Sequence, residues 1–228
     1  MRWFLVLATV ASLTACKKDP PPAPVPVAVK PVLSEAERAR AFWAWVASHV
    51  DALKAVKTGH EPVTAQLAAE LEKVEPGLVF ELGLGREPFE LIISADGETK
   101  WFPAVKRLVA SAGPIPGVKV IAFRPRKDVD GFSMDVGERK LAGSELWFVA
   151  KADREHPGRV AVEIYVEHLD DAQAEQLKTG AFMLLEAAVG EFDLETKIGT
   201  IDIMAAAEKP ELPLKKLKEL PATLDAWK

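Results

Sequence analysis

Apolar residues recur every three or four positions along several stretches of the chain, which is the spacing of amphipathic helices. The first stretch follows the capping-box pattern Ser34-Glu35-Ala36-Glu37 and predicts a helix over about 35–57 that ends before Gly59. The same spacing predicts further helices at about 63–74, 101–112, 171–189 and 213–226.

Alternating apolar and polar residues predict strands in other stretches. The segments at about 78–83 and 88–95 flank Gly83-Leu84-Gly85-Arg86-Glu87 and are typical of a hairpin. A short irregular hairpin is predicted at about 130–143, and further strands at about 118–126, 145–153, 159–169 and 198–206. Helices and strands neither alternate strictly nor separate into blocks. The pattern therefore predicts an α+β fold, with mostly antiparallel pairing and helices on one face of the sheet.

The chain begins with an apolar run that is too short to cross a membrane. Residues 3–15 lie between Arg2 and Lys17 and number 13, whereas a transmembrane helix needs about 20. A positive residue followed by a short apolar run is typical of a secretory signal peptide. The run ends in Leu13-Thr14-Ala15-Cys16, which resembles the lipobox of bacterial lipoproteins. Residues 1–15 are therefore expected to be a lipoprotein signal peptide.

The lipobox resemblance implies that Cys16 is diacylated through its sulfur, for example with palmitate, and becomes the new amino terminus. Each buried CH₂ contributes about 0.8 kcal/mol, so two or three acyl chains hold a protein on membrane lipid. The alternative is a short buried helix with an incidental cysteine, but no further apolar segment follows to complete a core. Lys17, where sorted lipoproteins kept in the inner membrane have Asp, favours the outer membrane facing the periplasm if the cell has two membranes.

A proline-rich tract follows the lipidation signal, and residues 16–33 are predicted to be the lipidated cysteine and its linker. Proline at this density favours polyproline II, which rises about 3.1 Å per residue and forms a semi-rigid spacer. The remaining residues, 34–228, are predicted to form a single α+β domain held away from the lipid surface.

Composition and charge narrow the classes of function. The chain is 49% hydrophobic and 28% charged, as ordinary globular proteins are. Its net charge is −5 and no long basic patch is present, so nucleic acid is not an expected partner. Cys16 is the only cysteine and the four histidines are dispersed, so neither a metal site nor a cofactor is expected.

A series of short motifs resembles a bacterial domain family of unknown function. The motifs are Phe-Trp-Ala-Trp (42–45), "LEKVEPGLVFELG" (71–83), "ELIISADG" (90–97), the helix before Pro114, and "IAFRPR" (121–126), in that order. The likeness covers about 40–210 and is clearest over 42–126, although members often have Trp where this chain has Val118. The resemblance implies one α+β domain and names no reaction.

Two glutamates and two arginines are the main candidates for a binding site. Pairing the apolar faces of the predicted hairpin fixes the parity of its register, which puts Glu81 and Glu90 on one face, opposite or diagonal to each other. If the later strands are neighbours, Arg124, Arg126 and Tyr165 join them on that face. The hypothesis is a polar groove for an envelope protein or small ligand, with arginines holding a carboxylate or phosphate. The alternative is a solvated face with weak ion pairs.

We expect a membrane-tethered envelope lipoprotein that acts as a non-catalytic binding module. No catalytic residue is predicted, because no nucleophile, positioned histidine or other catalytic motif is recognised. One alternative is an envelope hydrolase that uses the carboxylates of Glu81 and Glu90, or of Asp96, as acid and base. The other is a purely structural lipoprotein without a ligand.

Overall fold

The computed structural model describes residues 33–137, 139–167, 169, 174–205 and 213–227. The expected signal peptide, the lipidated Cys16 and the proline-rich linker lie outside the described residues. Leu33–Lys228 is one compact unit.

The helices predicted at 63–74, 101–112 and 171–189 are present with similar bounds, and a helix begins at Glu35 as predicted. In chain order the helices are α1 (Glu35–Ser48), α2 (Val50–Lys54), α3 (Pro62–Val74), α4 (Phe102–Ala110), α5 (Ala174–Val189), α6 (Glu191–Lys197) and α7 (Leu220–Ala226). Ser34 caps α1, because its side chain accepts from the backbone N–H of Glu37 while the Glu37 carboxylate accepts from the backbone N–H of Ser34. The capping box predicted from the sequence is thus confirmed.

Within the described part of the chain the strands form three sheets. They are β1 (Val79–Gly83), β2 (Phe89–Ser94), β3 (Val118–Ala122), β4 (Ser133–Val136), β5 (Arg139–Ala142), β6 (Leu146–Ala152), β7 (Val160–Val166), β8 (Ile198–Ala205) and β9 (Lys215–Lys216). The sheet orders are β1-β2-β3, β4-β5 and β8-β7-β6-β9. Among the described strands, only the pairs β2–β3 and β7–β8 are parallel, and each of these pairs is joined through helices. The fold is α+β with mostly antiparallel pairing, which confirms the prediction.

The first core lies between one face of the β1-β2-β3 sheet and helices α1, α3 and α4. Phe89, Leu91 and Ile93 of β2 are buried in it, because strand alternation directs them to the same side. The indole N–H of Trp43 donates to the carbonyl oxygen of Leu108 at 3.0 Å, which links α1 to α4. Trp43 is itself buried in this core.

The second core lies between one face of the four-stranded sheet and helices α5 and α7. Val160, Val162 and Ile164 of β7 supply the sheet side of this core. Val136 and Leu141 of the β4–β5 hairpin also pack in this core. This hairpin was predicted at 130–143. Each core therefore has helices on one face of its own sheet.

Three local features differ from the sequence-based prediction. The helix expected over 35–57 is divided at His49, where Ser48 Oγ donates to the carbonyl oxygen of Trp45 at 2.8 Å and the imidazole Nδ1 of His49 lies 2.8 Å from the same oxygen. Local side-chain bonds of this kind compete with the helical backbone bond. The stretch at 213–226 begins with β9 and a 3-10 helix before α7, and α6 has no counterpart in the prediction.

Candidate functional site

A single residue in the left-handed region reverses the direction of the side chains after β3. Phe123 has φ 65°, and its ring is buried against Phe102 and Phe192, with centroids 4.6 and 5.2 Å away. Its backbone N–H still donates to the carbonyl oxygen of Ile93, at 2.8 Å. Because Phe123 faces the core, the next residue, Arg124, lies on the outer side of the sheet.

Arg124 binds three carboxylates that come from three different elements. Its Nε donates to Glu81 of β1 at 2.5 Å, its Nη2 to Asp96 in the turn after β2 at 2.5 Å, and its Nη1 to Glu186 of α5 at 3.1 Å. Burial opposes the charged form, but the bonds to Asp96 and Glu81 prevail and hold the pKa of Arg124 above its ordinary value. The guanidinium group thus joins the first sheet to α5.

Glu191, at the start of α6, fixes the backbone around this cluster. Its side chain is 1% exposed, and its two carboxylate oxygens accept from three backbone N–H groups: Ala95 at 2.9 Å, Gly97 at 3.3 Å and Arg124 at 3.0 Å. The backbone N–H of Glu191 in turn donates to the carbonyl oxygen of Arg124 at 3.0 Å. Glu191 therefore holds the Asp96 turn and the Arg124 backbone in a fixed relation.

An open cleft of about 360 Å³ lies beside the guanidinium group. We call it the Arg124 cleft and define it by Glu81, Asp96, Arg124, Pro125, Lys127, Phe132, Met134, Met183, Glu186 and Ala187. Its charged end contains three carboxylates and two cationic side chains. Its apolar wall contains Phe132 and Met183, which are 46% and 50% exposed. The lining therefore combines a charged group of side chains, called the charged end, with an apolar group, called the apolar wall.

The carboxylates of this region are in excess over the cations. Glu195, one turn after Glu191, has a raised pKa because it is partly buried and because Glu191, Glu186 and Glu98 are nearby, although Arg159 opposes the shift. The side-chain oxygen of Glu195 lies against the turn at Gly97. Glu195 thus adds a further acidic group next to the Asp96 turn.

The structure brings together only part of the predicted site. In the β1–β2 register Glu81 is opposite Ile92 and Glu90 is opposite Gly83, so the two glutamates share a face and are diagonal. Glu81 lines the Arg124 cleft, whereas Glu90 does not. Instead Glu90 pairs with Lys119 at 3.0 Å and with Arg86 at 3.6 Å.

Arg126 and Tyr165 lie elsewhere, so the expectation that one sheet face carries all five candidates is wrong. Arg126 binds the carboxylates of Asp193 and Asp225, and these bonds hold its pKa above the ordinary value. Tyr165 is in β7 of the other sheet, where it is buried and donates to Glu163 at 2.8 Å. The first and third sheets have no strand in common, so β3 and β7 are not neighbours.

The existing ion pairs and the residue types that line the cleft determine which ligands and which reactions it suits. Both candidate arginines already bind carboxylates, so an anionic ligand would have to compete with these carboxylates for the guanidinium groups. Among the described residues that line the cleft there is no serine, cysteine or histidine. Within the described ranges, no three His, Cys, Asp or Glu side chains form a group suited to a metal ion.

Sequence reasoning did not include Glu186 or Glu191 among the candidates. The one available signal for Glu186 is its position as a charged residue in the apolar run of α5, between Leu185 and Ala187. Nothing in the local pattern around Gly190-Glu191 distinguishes a buried carboxylate from an ordinary exposed residue at the start of a helix.

Comparisons with protein-family models, with curated proteins and with solved structures find no match to the chain. The resemblance to a bacterial domain family of unknown function and the lipobox resemblance therefore stay predictions. None of the helices in the described part of the chain has both the length and the apolar character that a membrane span requires.

Proposed function

We propose that the protein is an envelope lipoprotein, anchored to membrane lipid through acylated Cys16, whose α+β domain binds a partner without catalysing a reaction. The anchor rests on the sequence Leu13-Thr14-Ala15-Cys16 after a short apolar run. If the cell has two membranes, Lys17 favours the outer membrane with the domain in the periplasm.

The observation that carries the binding role is the Arg124 cleft. Large exposed apolar side chains beside a concave surface mark interaction sites, and Phe132 and Met183 are both about half exposed. Four segments of the chain supply charged groups to the same place. Glu191 fixes the backbone of two of these segments, the Asp96 turn and Arg124. A rigid charged end next to adaptable methionine side chains suits recognition of a partner.

The same geometry gives no support to the hydrolase alternative. A pair of carboxylates that act as acid and base must both reach one substrate bond. Glu81 and Asp96 both line the cleft, but Arg124 binds both of their carboxylates, whereas Glu90 does not line the cleft and binds Lys119. The described residues that line the cleft include no hydroxyl, thiol or imidazole that would serve as a nucleophile or base.

Site-specific photo-cross-linking tests the binding role. A benzophenone amino acid replaces Met183, which lines the cleft, and in a matched control it replaces Phe182, the exposed residue next to it that does not line the cleft. In cells that contain the full-length lipidated protein, we expect one discrete adduct from position 183 and none from position 182. Equal adducts from both positions, or none from 183, would contradict a role for the cleft.

The anchor has a separate test. Mass spectrometry of the mature protein should find acyl groups on the sulfur of Cys16, with residues 1–15 removed. The Cys16→Ser variant should lose this modification and leave the membrane fraction. An unmodified Cys16 in protein recovered from the membrane would refute lipidation, while the cross-linking result would still decide the role of the cleft.

A further inference from the structure

Resting on the binding role proposed above, we infer that the Arg124 cleft accepts a peptide segment of a partner protein that carries a Lys or Arg side chain next to an apolar side chain. The charged end and the apolar wall of the cleft suit two different side chains. The apolar wall is exposed, which suits a peptide better than an enclosed small ligand.

The charged end favours a cation. Glu81, Asp96 and Glu186 share the single guanidinium group of Arg124, and Lys127 is the other cationic residue that lines the cleft. The carboxylates that line the cleft therefore outnumber its cations, and Glu191 and Glu195 are further carboxylates nearby. An ammonium or guanidinium group of a ligand would find carboxylate oxygens to accept its hydrogen bonds. A carboxylate ligand would meet like charges instead.

The apolar wall favours a hydrophobic side chain beside that cation. Phe132 and Met183 are 46% and 50% exposed, and Met134 lines the same wall. Covering such side chains removes apolar surface from water and stabilises a complex. Methionine adapts to ligands of different shape because its side chain is unbranched and polarizable.

The dimensions favour a peptide over a small molecule. Sites for small ligands bury about 70–90% of the ligand, and their volumes run from about 300 to 1,000 Å³. The Arg124 cleft, at about 360 Å³, is at the lower end of that range and is open, since its wall residues are half exposed. It can cover one or two neighbouring side chains while the rest of a longer chain lies outside.

Fluorescence anisotropy with three labelled hexapeptides tests the inference on the full-length protein in non-ionic detergent. The probes alternate Lys with Leu, Glu with Leu, and Lys with Ser, and micelles without protein provide the blank. We expect the Lys–Leu peptide to bind at least tenfold more tightly than the Glu–Leu peptide and at least fivefold more tightly than the Lys–Ser peptide. Raising the salt concentration should weaken its binding.

Three variants test whether the Lys–Leu peptide binds in the cleft. Glu186→Gln and Met183→Ser should each weaken binding of the Lys–Leu peptide at least fivefold. Glu175→Gln, the same change on α5 at a side chain that is 88% exposed and pairs with Lys178, should leave the affinity unchanged.

Each other outcome overturns the inference. Equal or tighter binding of the Glu–Leu peptide would show that the charge preference is wrong. Lys–Leu binding that neither variant changes would lie outside the cleft, and no binding of any peptide would refute a basic and apolar ligand. An adduct at position 183 alongside any of these results would leave the proposed binding role intact, whereas its absence would refute that role independently of the peptides.

Discussion

Replacing Glu191 with Gln should destabilise the domain although it changes only one functional group. The carboxylate accepts from the backbone N–H groups of Ala95 and Gly97 through one oxygen and from that of Arg124 through the other. A glutamine amide has one oxygen and one NH₂ group. Whichever way it turns, its NH₂ group faces a backbone N–H that cannot accept.

The size of the decrease in the free energy of unfolding follows from these hydrogen bonds. A buried donor left without a partner costs about 1–3 kcal/mol, and the remaining bonds lose the strength that a charged acceptor gives them. Removing a charge from a site that is 1% exposed offsets part of the loss, because burying a carboxylate is itself unfavourable. The net decrease in the free energy of unfolding should be about 2–3 kcal/mol.

Urea unfolding of the full-length protein in detergent, followed by tryptophan fluorescence, measures the change. With a denaturant slope of about 2–3 kcal/mol/M, the midpoint should fall by about 1 M. Hydrogen exchange should be faster at the amides of Ala95 and Arg124 than in the wild type, because these amides lose their acceptor. An unchanged or higher urea midpoint in the variant would refute this role of the Glu191 carboxylate, and so would unchanged hydrogen exchange at both amides.

Three further changes test other parts of the structure. Glu195→Gln should raise the urea midpoint at neutral pH. Because the pKa of Glu195 is raised in the folded state, the stabilising contribution of this residue is present below the unfolded pKa of 4.5 and is lost as pH rises through the folded pKa. The difference in midpoint between the variant and the wild type should therefore grow between pH 4 and 7, and a pH-independent difference would contradict this. Leu184→Ala should cost about 2–5 kcal/mol at a fully buried position of the second core, whereas Leu84→Ala, at a residue that is 42% exposed, should cost about 0.5 kcal/mol or less; equal losses would argue against that core. Gly143→Ala should cost about 1–3 kcal/mol because its Cβ would lie 2.2 Å from the carbonyl oxygen of Val129, whereas Gly131→Ala, with nothing within 4 Å, should leave the thermal midpoint nearly unchanged.

Most elements of the fold could be predicted because their signals are local. The helix before Gly59, the hairpin of β1 and β2, and the long α5 all have the periodicity of their final structure within one stretch of sequence. α6 could not be predicted, because its seven residues are too few to establish a helical period. The division into three sheets is a question of which strands pair, and periodicity within a strand does not answer it.

The candidate site was partly predictable for the same reason. The shared face of Glu81 and Glu90 follows from hairpin parity, which is local, and the register agrees with it. The contact between Arg124 and Glu81 depends on Phe123 at φ 65°, which reverses the alternation that places Arg124 with the apolar residues Val118 and Val120. Strand alternation alone would have directed Arg124 toward the first core.

The three partners of Arg124 are 28, 43 and 62 residues away from it in the chain, so no local pattern can bring them together. What joins them is the packing of Phe123 against Phe102 and Phe192, which draws α6 to the end of β3. Glu191 precedes Phe192 in the chain, and the same packing therefore seats its carboxylate on the backbone of Arg124 and of the Asp96 turn. The geometry of the charged end thus depends on an apolar contact on the opposite side of the backbone. It follows that a substitution at Phe192 should change the affinity of the cleft for its ligand, although Phe192 does not itself line the cleft.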